Sequence, residues 1–202
     1  MASLGRLHLV TDTRPGRDAL GVVAAALRAG FDVVQVRPED AVTDREAYEL
    51  TVRVLAMCRE LGRTCLVNDR LHIALAAGAD GGHVGADDLP VAAARRILGP
   101  DAILGATARD PDAARRAVAD GASYLGVGPA FATTTKSGLP DAIGPAGVRA
   151  VAEAVDVPVV AIGGVSAARA SELYAAGAHA VAVVGALSGA ADPYAAAKEF
   201  LK

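Results

Sequence analysis

The sequence predicts an α/β chain folded as a single (β/α)₈ barrel of the TIM type over residues 1–202. Three observations predict it. Short apolar runs alternate with longer Ala-rich runs eight times along the 202 residues. A helix-closing signal recurs ahead of the apolar runs, at Ala29-Gly30-Phe31-Asp32, Ala77-Gly78-Ala79-Asp80, Asp120-Gly121-Ala122 and Ala176-Gly177-Ala178. Glycine there accepts the left-handed conformation that ends a helix. The apolar runs lack polar alternation, as expected of parallel strands buried on both faces and joined by right-handed crossovers. Eight such units close into a barrel, although the chain is short against the roughly 250 residues typical of that fold. A doubly wound sheet is the rival, weakened by the lack of Gly-x-Gly-x-x-Gly after the first strand.

The elements follow in order. Leu7-His8-Leu9-Val10-Thr11 reads as the first strand and residues 17–29 as a helix. Val33-Val34-Gln35-Val36 is the second strand, followed by a helix over 44–60. Thr64-Cys65-Leu66-Val67 leads into a short helix from Asp69 to Ala77. Gly81-Gly82-His83-Val84 is a weak fourth strand, and the helix over 90–98 has Pro90 in its first turn, where the missing N–H does no harm. Ala102-Ile103-Leu104 precedes a helix over 111–119. Ser123-Tyr124-Leu125-Gly126 is the sixth strand, with a helix over 145–154. Pro158-Val159-Val160-Ala161 precedes a helix over 167–176 with Ser166 as its N-cap. Ala180-Val181-Ala182-Val183 is the eighth strand, and residues 192–201 form the last helix.

Composition excludes several classes. An apolar share of 52% with 21% charge does not describe a disordered chain. A net charge of -3 supplies no basic field for nucleic acid. Cys58 and Cys65 cannot make a disulfide scaffold or a four-thiolate zinc site, and both read as core packing. The four histidines are scattered, without a metal-binding pair. Leu173 to Ala191 is uncharged for nineteen residues, near a spanning length. Gly177, Gly185, Gly189 and His179 interrupt it, so it reads as a helix end, a strand and a new helix start. The MASLGRLHLV terminus lacks the basic head and apolar stretch of a secretory signal. The expectation is a cytoplasmic protein acting on small molecules, with no nucleic-acid or membrane partner and homo-oligomerisation left open.

In a (β/α)₈ barrel, chemistry sits on the loops after the strands, and polar residues collect there. Gln35 and Arg37 share one strand face by the period of two. Asn68-Asp69-Arg70 follows the third strand, His83 through Asp88 the fourth, and Gly105-Ala106-Thr107 the fifth. The longest loop, after the sixth, carries Thr133-Thr134-Thr135-Lys136. Gly163-Gly164 and Val184-Gly185 follow the last two strands, where bare N–H groups can cradle a phosphate; turning the chain is their simpler role. Asp69 and Asp88, from neighbouring loops, suit a hard divalent cation such as Mg²⁺. Two helix N-caps are the equal alternative, and Asp87 could replace Asp88. The Thr hydroxyls and Lys136 suit diphosphate oxygens. Only three lysines stand beside seventeen arginines, and Lys136 is the one away from the C-terminus. His83 reads as a hydrogen-bonded support group; His8 and His72 read as packing or surface residues.

These residues in this order resemble the thiamine phosphate synthase family and its relatives, the TenI-like thiazole tautomerases. Thr11-Asp12, Gln35-Val36-Arg37, Asn68-Asp69-Arg70, Ile73-Ala74-Leu75, Gly82-His83-Val84-Gly85 through Asp88, Gly128-Pro129, Thr133-Thr134-Thr135-Lys136 and Ala161-Ile162-Gly163-Gly164 carry the resemblance over nearly the whole chain. It implies a (β/α)₈ enzyme joining hydroxymethylpyrimidine diphosphate to a thiazole phosphate. It implies Mg²⁺ on Asp69 and Asp88, and diphosphate handling by Arg37, Asn68 and Lys136. Thr133, Thr135, Gly163 and Gly164 would hold the thiazole phosphate; Gln35, Thr107, Val184 and Gly185 complete the substrate contacts. A tautomerase, or a non-catalytic binder of thiamine phosphates, is the alternative. Several positions depart from the family pattern. Glu39 stands where the family carries lysine in Gln-x-Arg-x-Lys, and Ala86 where it carries glutamine. Thr107 and Gly185 each replace a serine, and Arg109 replaces the acid–base histidine of the tautomerases. A carboxylate 4 Å from a diphosphate charge costs roughly 4 kcal/mol at an effective dielectric of about 20. Glu39 should therefore point away, pair with a cation, or mark a different substrate.

Overall fold

The computed structural model describes residues 4–135 and 138–202. Eight parallel strands close into a barrel in sequence order, with the last strand paired to the first. They are β1 (Leu7–Val10), β2 (Val33–Val36), β3 (Thr64–Asn68), β4 (Gly81–Val84), β5 (Ile103–Ala108), β6 (Tyr124–Val127), β7 (Val159–Ile162) and β8 (Ala180–Val183). The helices between them are α1 (Ala19–Ala29), α2 (Asp44–Glu60), α3 (Leu71–Ala77), α4 (Val91–Leu98), α5 (Pro111–Ala119), α6 (Gly144–Ala152) and α7 (Ala167–Ala175); α8 (Gly185–Ser188) and α9 (Pro193–Glu199) follow β8. Among the described residues, no helix is long and apolar enough to cross a membrane.

Several helices begin or end where local chemistry dictates. Thr43 caps α2 with a capping box, its side chain accepting from Glu46 N while Glu46 accepts from Thr43 N. Asp110 and Asp192 cap α5 and α9 just ahead of a first-turn proline. Gly30 and Gly78 close α1 and α3 at φ 116° and 70°. Most element ends fall within two residues of the sequence reading, and four details differ in ways that matter. Strand β5 runs on to Ala108, because Gly105, Ala106 and Thr107 pair with β6; Thr107 is thus a strand residue and not a loop one. The short α8 was absent from the reading, since four residues carry no helical period. Ser166 sits at the N-cap of α7, but its side chain makes no capping bond. Asp69 does not cap α3, whose N-cap is Arg70.

Two apolar layers hold the fold. The larger lies between sheet and helices and is built of Val, Leu, Ile and many Ala, with Phe31 its largest fully buried member. The abundance of alanine lets the helices lie close to the strands. Cys58 and Cys65 are both fully buried in this layer. The hydrogen bond to Cys58, and burial after it, push the Cys65 thiol far above the ordinary range, so it packs as a small neutral side chain. The second layer fills the barrel with Val10, Val33, Leu66, Tyr124, Val160, Ala180 and Ala182, closed from below by Leu4 and Ile103. Gly81 lets β5 approach β4; a Cβ there would stand 1.8 Å from the Ile103 carbonyl oxygen.

Candidate active site

The C-terminal end of the barrel strands opens into a cavity of about 880 Å³. Its walls are the C-terminal ends of the strands and the loops that follow them, the expected place for a (β/α)₈ site. Gln35, Arg37, Asn68, Asp69, Thr107, Thr133, Thr135, Gly163, Gly164, Val184 and Gly185 all line it. Six of the eight strand ends and the loops beyond them, those of β2, β3, β5, β6, β7 and β8, thus deliver the anticipated residues to one chamber. Asp88 is not on the wall; its Oδ2 accepts from Gly85 N at 2.7 Å, and Asp87 faces the cavity instead. Lys136 lies outside the described residues.

The second loop explains the fate of Glu39. Gln35 and Arg37 both line the cavity, as the strand period requires. Glu39 pairs with Arg37, with Oε1 3.4 Å from Nη1. That oxygen is buried and accepts no hydrogen bond. Thr13 fixes this segment, donating from Oγ1 to the Arg37 carbonyl at 3.3 Å and accepting from Glu39 N at 2.9 Å. Of the three fates open to Glu39, the structure takes the cation pair.

Asp69 holds φ at 60°, the one non-glycine residue with positive φ among the described residues. Its amide donates to the His83 carbonyl at 2.8 Å, which ties the β3 loop to β4. The carboxylates of Asp69 and Asp87 come from adjacent loops. No group of three His, Cys, Asp or Glu side chains that could hold a metal occurs among the described residues. One or two carboxylate oxygens beside room for substrate phosphate is a donor set that fits Mg²⁺, and does not resemble a zinc cage.

The long loop after β6 starts at a cis Gly128–Pro129 peptide and lies across the β7 loop. Ala130 N donates to the Ile162 carbonyl at 2.7 Å and Phe131 N to the Gly163 carbonyl at 3.0 Å. Gly163 and Gly164 take φ of 97° and 63°. A Cβ on Gly163 would stand 2.7 Å from Pro129, and one on Gly164 2.5 Å from the Ala132 carbonyl. Glycine is needed there for both conformation and space. Thr133 and Thr135 share a hydroxyl contact at 3.2 Å. A Cβ on Gly185 would lie 3.2 Å from Thr135 Oγ1, so this glycine leaves room for the threonine.

Tyr124 and His8 line the wall although the sequence reading assigned neither a place in the site, and Arg109, read only as a departure from the family pattern, joins them. Arg109 donates from Nη2 to the Asp141 carbonyl at 2.6 Å and lines the cavity. Tyr124 and His8 form the floor, with His8 bonded to the Leu4 carbonyl. Burial, above all, lowers His8 to about 4, so the floor imidazole is neutral at pH 7. The inward alternation of β1 and β6 was the available signal, but it needs the barrel register to be used. Asp12 is buried beneath the first loop. It accepts from Arg14 Nε and Nη2 at 2.8 and 2.6 Å and from Ser188 Oγ at 2.8 Å. The Arg14 bond, first among these, holds its carboxyl down at about 2.

A family described as thiamine monophosphate synthase matches residues 7–187. A thiamine-phosphate synthase of Salinispora arenicola is 64% identical over 205 aligned residues, covering 100% of this chain and 98% of that one. Its counterpart in Salinispora tropica is 63% identical, covering 100% and 98%. The solved structure of a thiamine phosphate pyrophosphorylase from Pyrococcus furiosus superposes with a TM-score of 0.88 at 35% identity, covering 97% of this chain and 93% of that one. With the barrel, its polar mouth and matches over nearly its full length in agreement, the chain belongs to the thiamine monophosphate synthase family.

Proposed function

We propose that the chain, acting as one domain over residues 1–202, is a thiamine-phosphate synthase of the cytoplasm. It joins hydroxymethylpyrimidine diphosphate to a thiazole phosphate and releases thiamine phosphate and diphosphate. The observation that carries this reading is the single cavity shared by Arg37, Asn68, Asp69, the two threonines and the glycine loops. It has a cationic and carboxylate side for a diphosphate and a glycine side for a second phosphate.

In the reaction, the bond between the pyrimidine methylene carbon and the diphosphate oxygen breaks. Its electron pair leaves with the diphosphate, and the thiazole nitrogen forms the new bond to that carbon. Arg37 and Asn68, with Lys136, bind the diphosphate and receive its growing charge. Glu39 pairs with Arg37 and offsets part of the guanidinium charge, while Thr13 fixes the segment. Asp69, with Asp87 or Asp88, would hold Mg²⁺, which when bound neutralises leaving-group charge. Thr133, Thr135 and the backbone of Gly163, Gly164 and Gly185 hold the thiazole phosphate. Alignment of the two substrates supplies much of the remaining acceleration, since no protein nucleophile is needed.

Incubation with each substrate alone and with both tests the reading. Diphosphate and thiamine phosphate should appear together, and only when both substrates are present. A tautomerase would isomerise a carboxylated thiazole phosphate with no diphosphate release, and a binder would show affinity with no product. Either result would end the proposal.

A further inference from the structure

Among the described residues, the loop after β1 is the one strand-end loop that gives nothing to the cavity wall, since none of residues 11–18 lines it. It is nevertheless tied to both of its neighbours. Thr11 and Thr13 turn to the β2 side. Thr11 Oγ1 accepts from Arg37 N at 2.9 Å, and Thr13 Oγ1 donates to the Arg37 carbonyl at 3.3 Å and accepts from Glu39 N at 2.9 Å. These bonds bracket the backbone that carries the Arg37 side chain. Asp12, between the two threonines, turns to α8. Its Oδ2 accepts from Ser188 Oγ at 2.8 Å. Arg17 Nη1 donates to the Ser188 carbonyl at 2.9 Å, and its Nε stands 3.5 Å from Asp12 Oδ2.

The segments held in this way carry the two ends of the proposed reaction. Arg37 lies on the diphosphate side of the cavity, and α8 starts at Gly185 on the thiazole-phosphate side. Asp12 is 3% exposed, so Arg14, Arg17 and Ser188 stand where water would otherwise solvate its charge. Charge-assisted bonds of this kind are short and directional. The loop is therefore a strut pinned at both ends.

We propose that the β1 loop is a spacer that fixes the distance between the diphosphate and thiazole-phosphate subsites, with Thr13, Arg17 and Ser188 as positioning residues for the transfer step. The thiazole nitrogen must stand opposite the departing diphosphate oxygen, and a displacement of about 1 Å between reacting groups costs on the order of a hundredfold. Each substrate is anchored by its own phosphate group, so the gap between the anchors is left to the protein. A strut that touches neither substrate sets that gap without altering either affinity. This inference rests on the synthase reading and adds to it a part that binds nothing.

The test is a double-mutant cycle on kcat, with KM measured for both substrates. Thr13→Val cuts the β2 arm, and Arg17→Ala with Ser188→Ala cuts the α8 arm. Either cut should lower kcat about tenfold and leave both KM values within about threefold, since an interaction felt only in alignment lowers kcat alone. All three changes together should cost about the same tenfold, because a strut already cut at one end has nothing to transmit from the other. Thr13→Ser, which keeps the hydroxyl, should retain the wild-type kcat. Arg17→Ala alone, on a side chain 39% exposed, serves as the α8 change if the pair fails to fold, with the same non-additivity expected. Losses that multiply to about a hundredfold would show two independent supports. An unchanged kcat in the single arms, or a rise in KM confined to the substrate on the altered side, would show that each contact serves only its own subsite. Any of these results overturns the spacer, while wild-type turnover leaves the synthase reading standing. Wild type that forms no thiamine phosphate from the two substrates removes that reading, and the spacer with it.

Discussion

Asp69 bears its role in its backbone. A left-handed conformation costs an ordinary L-residue about 1–2 kcal/mol, and aspartate is among the residues that tolerate it. The hydrogen bond to the His83 carbonyl and the Leu71 N–H donated to the Asp69 carbonyl at 3.0 Å hold it there. Asparagine tolerates the same conformation without the charge, so Asp69→Asn separates strain from chemistry. Urea unfolding should change by less than about 0.5 kcal/mol, as for substitutions that keep the backbone conformation. Turnover should fall about a hundredfold or more, on the order of 3 kcal/mol of lost charge stabilisation. Calorimetry should show thiazole phosphate binding retained. The Arg37–Glu39 pair predicts a second outcome. Glu39→Lys removes a carboxylate beside the proposed diphosphate subsite, so KM for the pyrimidine diphosphate should stay level or fall. A rise of tenfold would mean that the pair with Arg37 is itself required.

At the scale of elements, Arg95 in α4 organises the lower rim of the barrel. Its guanidinium donates to the carbonyls of Gly99, Ala102 and Gly121 and to Ser123 Oγ, at 2.7 to 3.1 Å. It staples α4 to the chain entering β5 and β6. Hydrogen bonds to a charged donor contribute about 1.5–3 kcal/mol. Arg95→Ala should therefore lose about 2–3 kcal/mol in urea melts while turnover below the transition is kept. Arg95→Lys should recover little, because an ammonium cannot reproduce the planar fork. The elements themselves were largely legible in the sequence. The Ala-Gly signals at Gly30 and Gly78 end helices as expected, and the apolar runs are strands. Gly105-Ala106-Thr107 read as a loop after the fifth strand because nothing local shows that Gly105 makes room for the Tyr124 and His83 rings inside a barrel. The α8 turn was too short to have a period. Asp87 and Asp88 could not be told apart, since the direction of each depends on a loop bond to Gly85 N. Tyr124 and His8 needed the closed barrel before their side could be assigned.

The whole molecule carries two buried groups whose titration shapes its acid stability. His8 is lowered from 6.5 to about 4 by burial, so the unfolded chain binds the extra proton between those values. Stability from this group is complete above pH 6.5 and is lost as pH falls towards 4, by about 3 kcal/mol. Asp12, lowered from 3.8 to about 2 by Arg14, adds a further loss of about 2 kcal/mol between those values. Urea midpoints should decline in these two steps, and His8→Gln should flatten the first. In the proposed synthase one barrel mouth holds the diphosphate, beside Asp69 and Asp87 or Asp88 that would carry Mg²⁺, and the pyrimidine passes from it to the thiazole. Magnesium titration of diphosphate release, with both substrates present and Asp69→Asn alongside, measures it directly. Release by wild type should rise from near zero to saturation with added Mg²⁺ and stay near zero in the variant. Equal release without magnesium, or from both proteins alike, would contradict it.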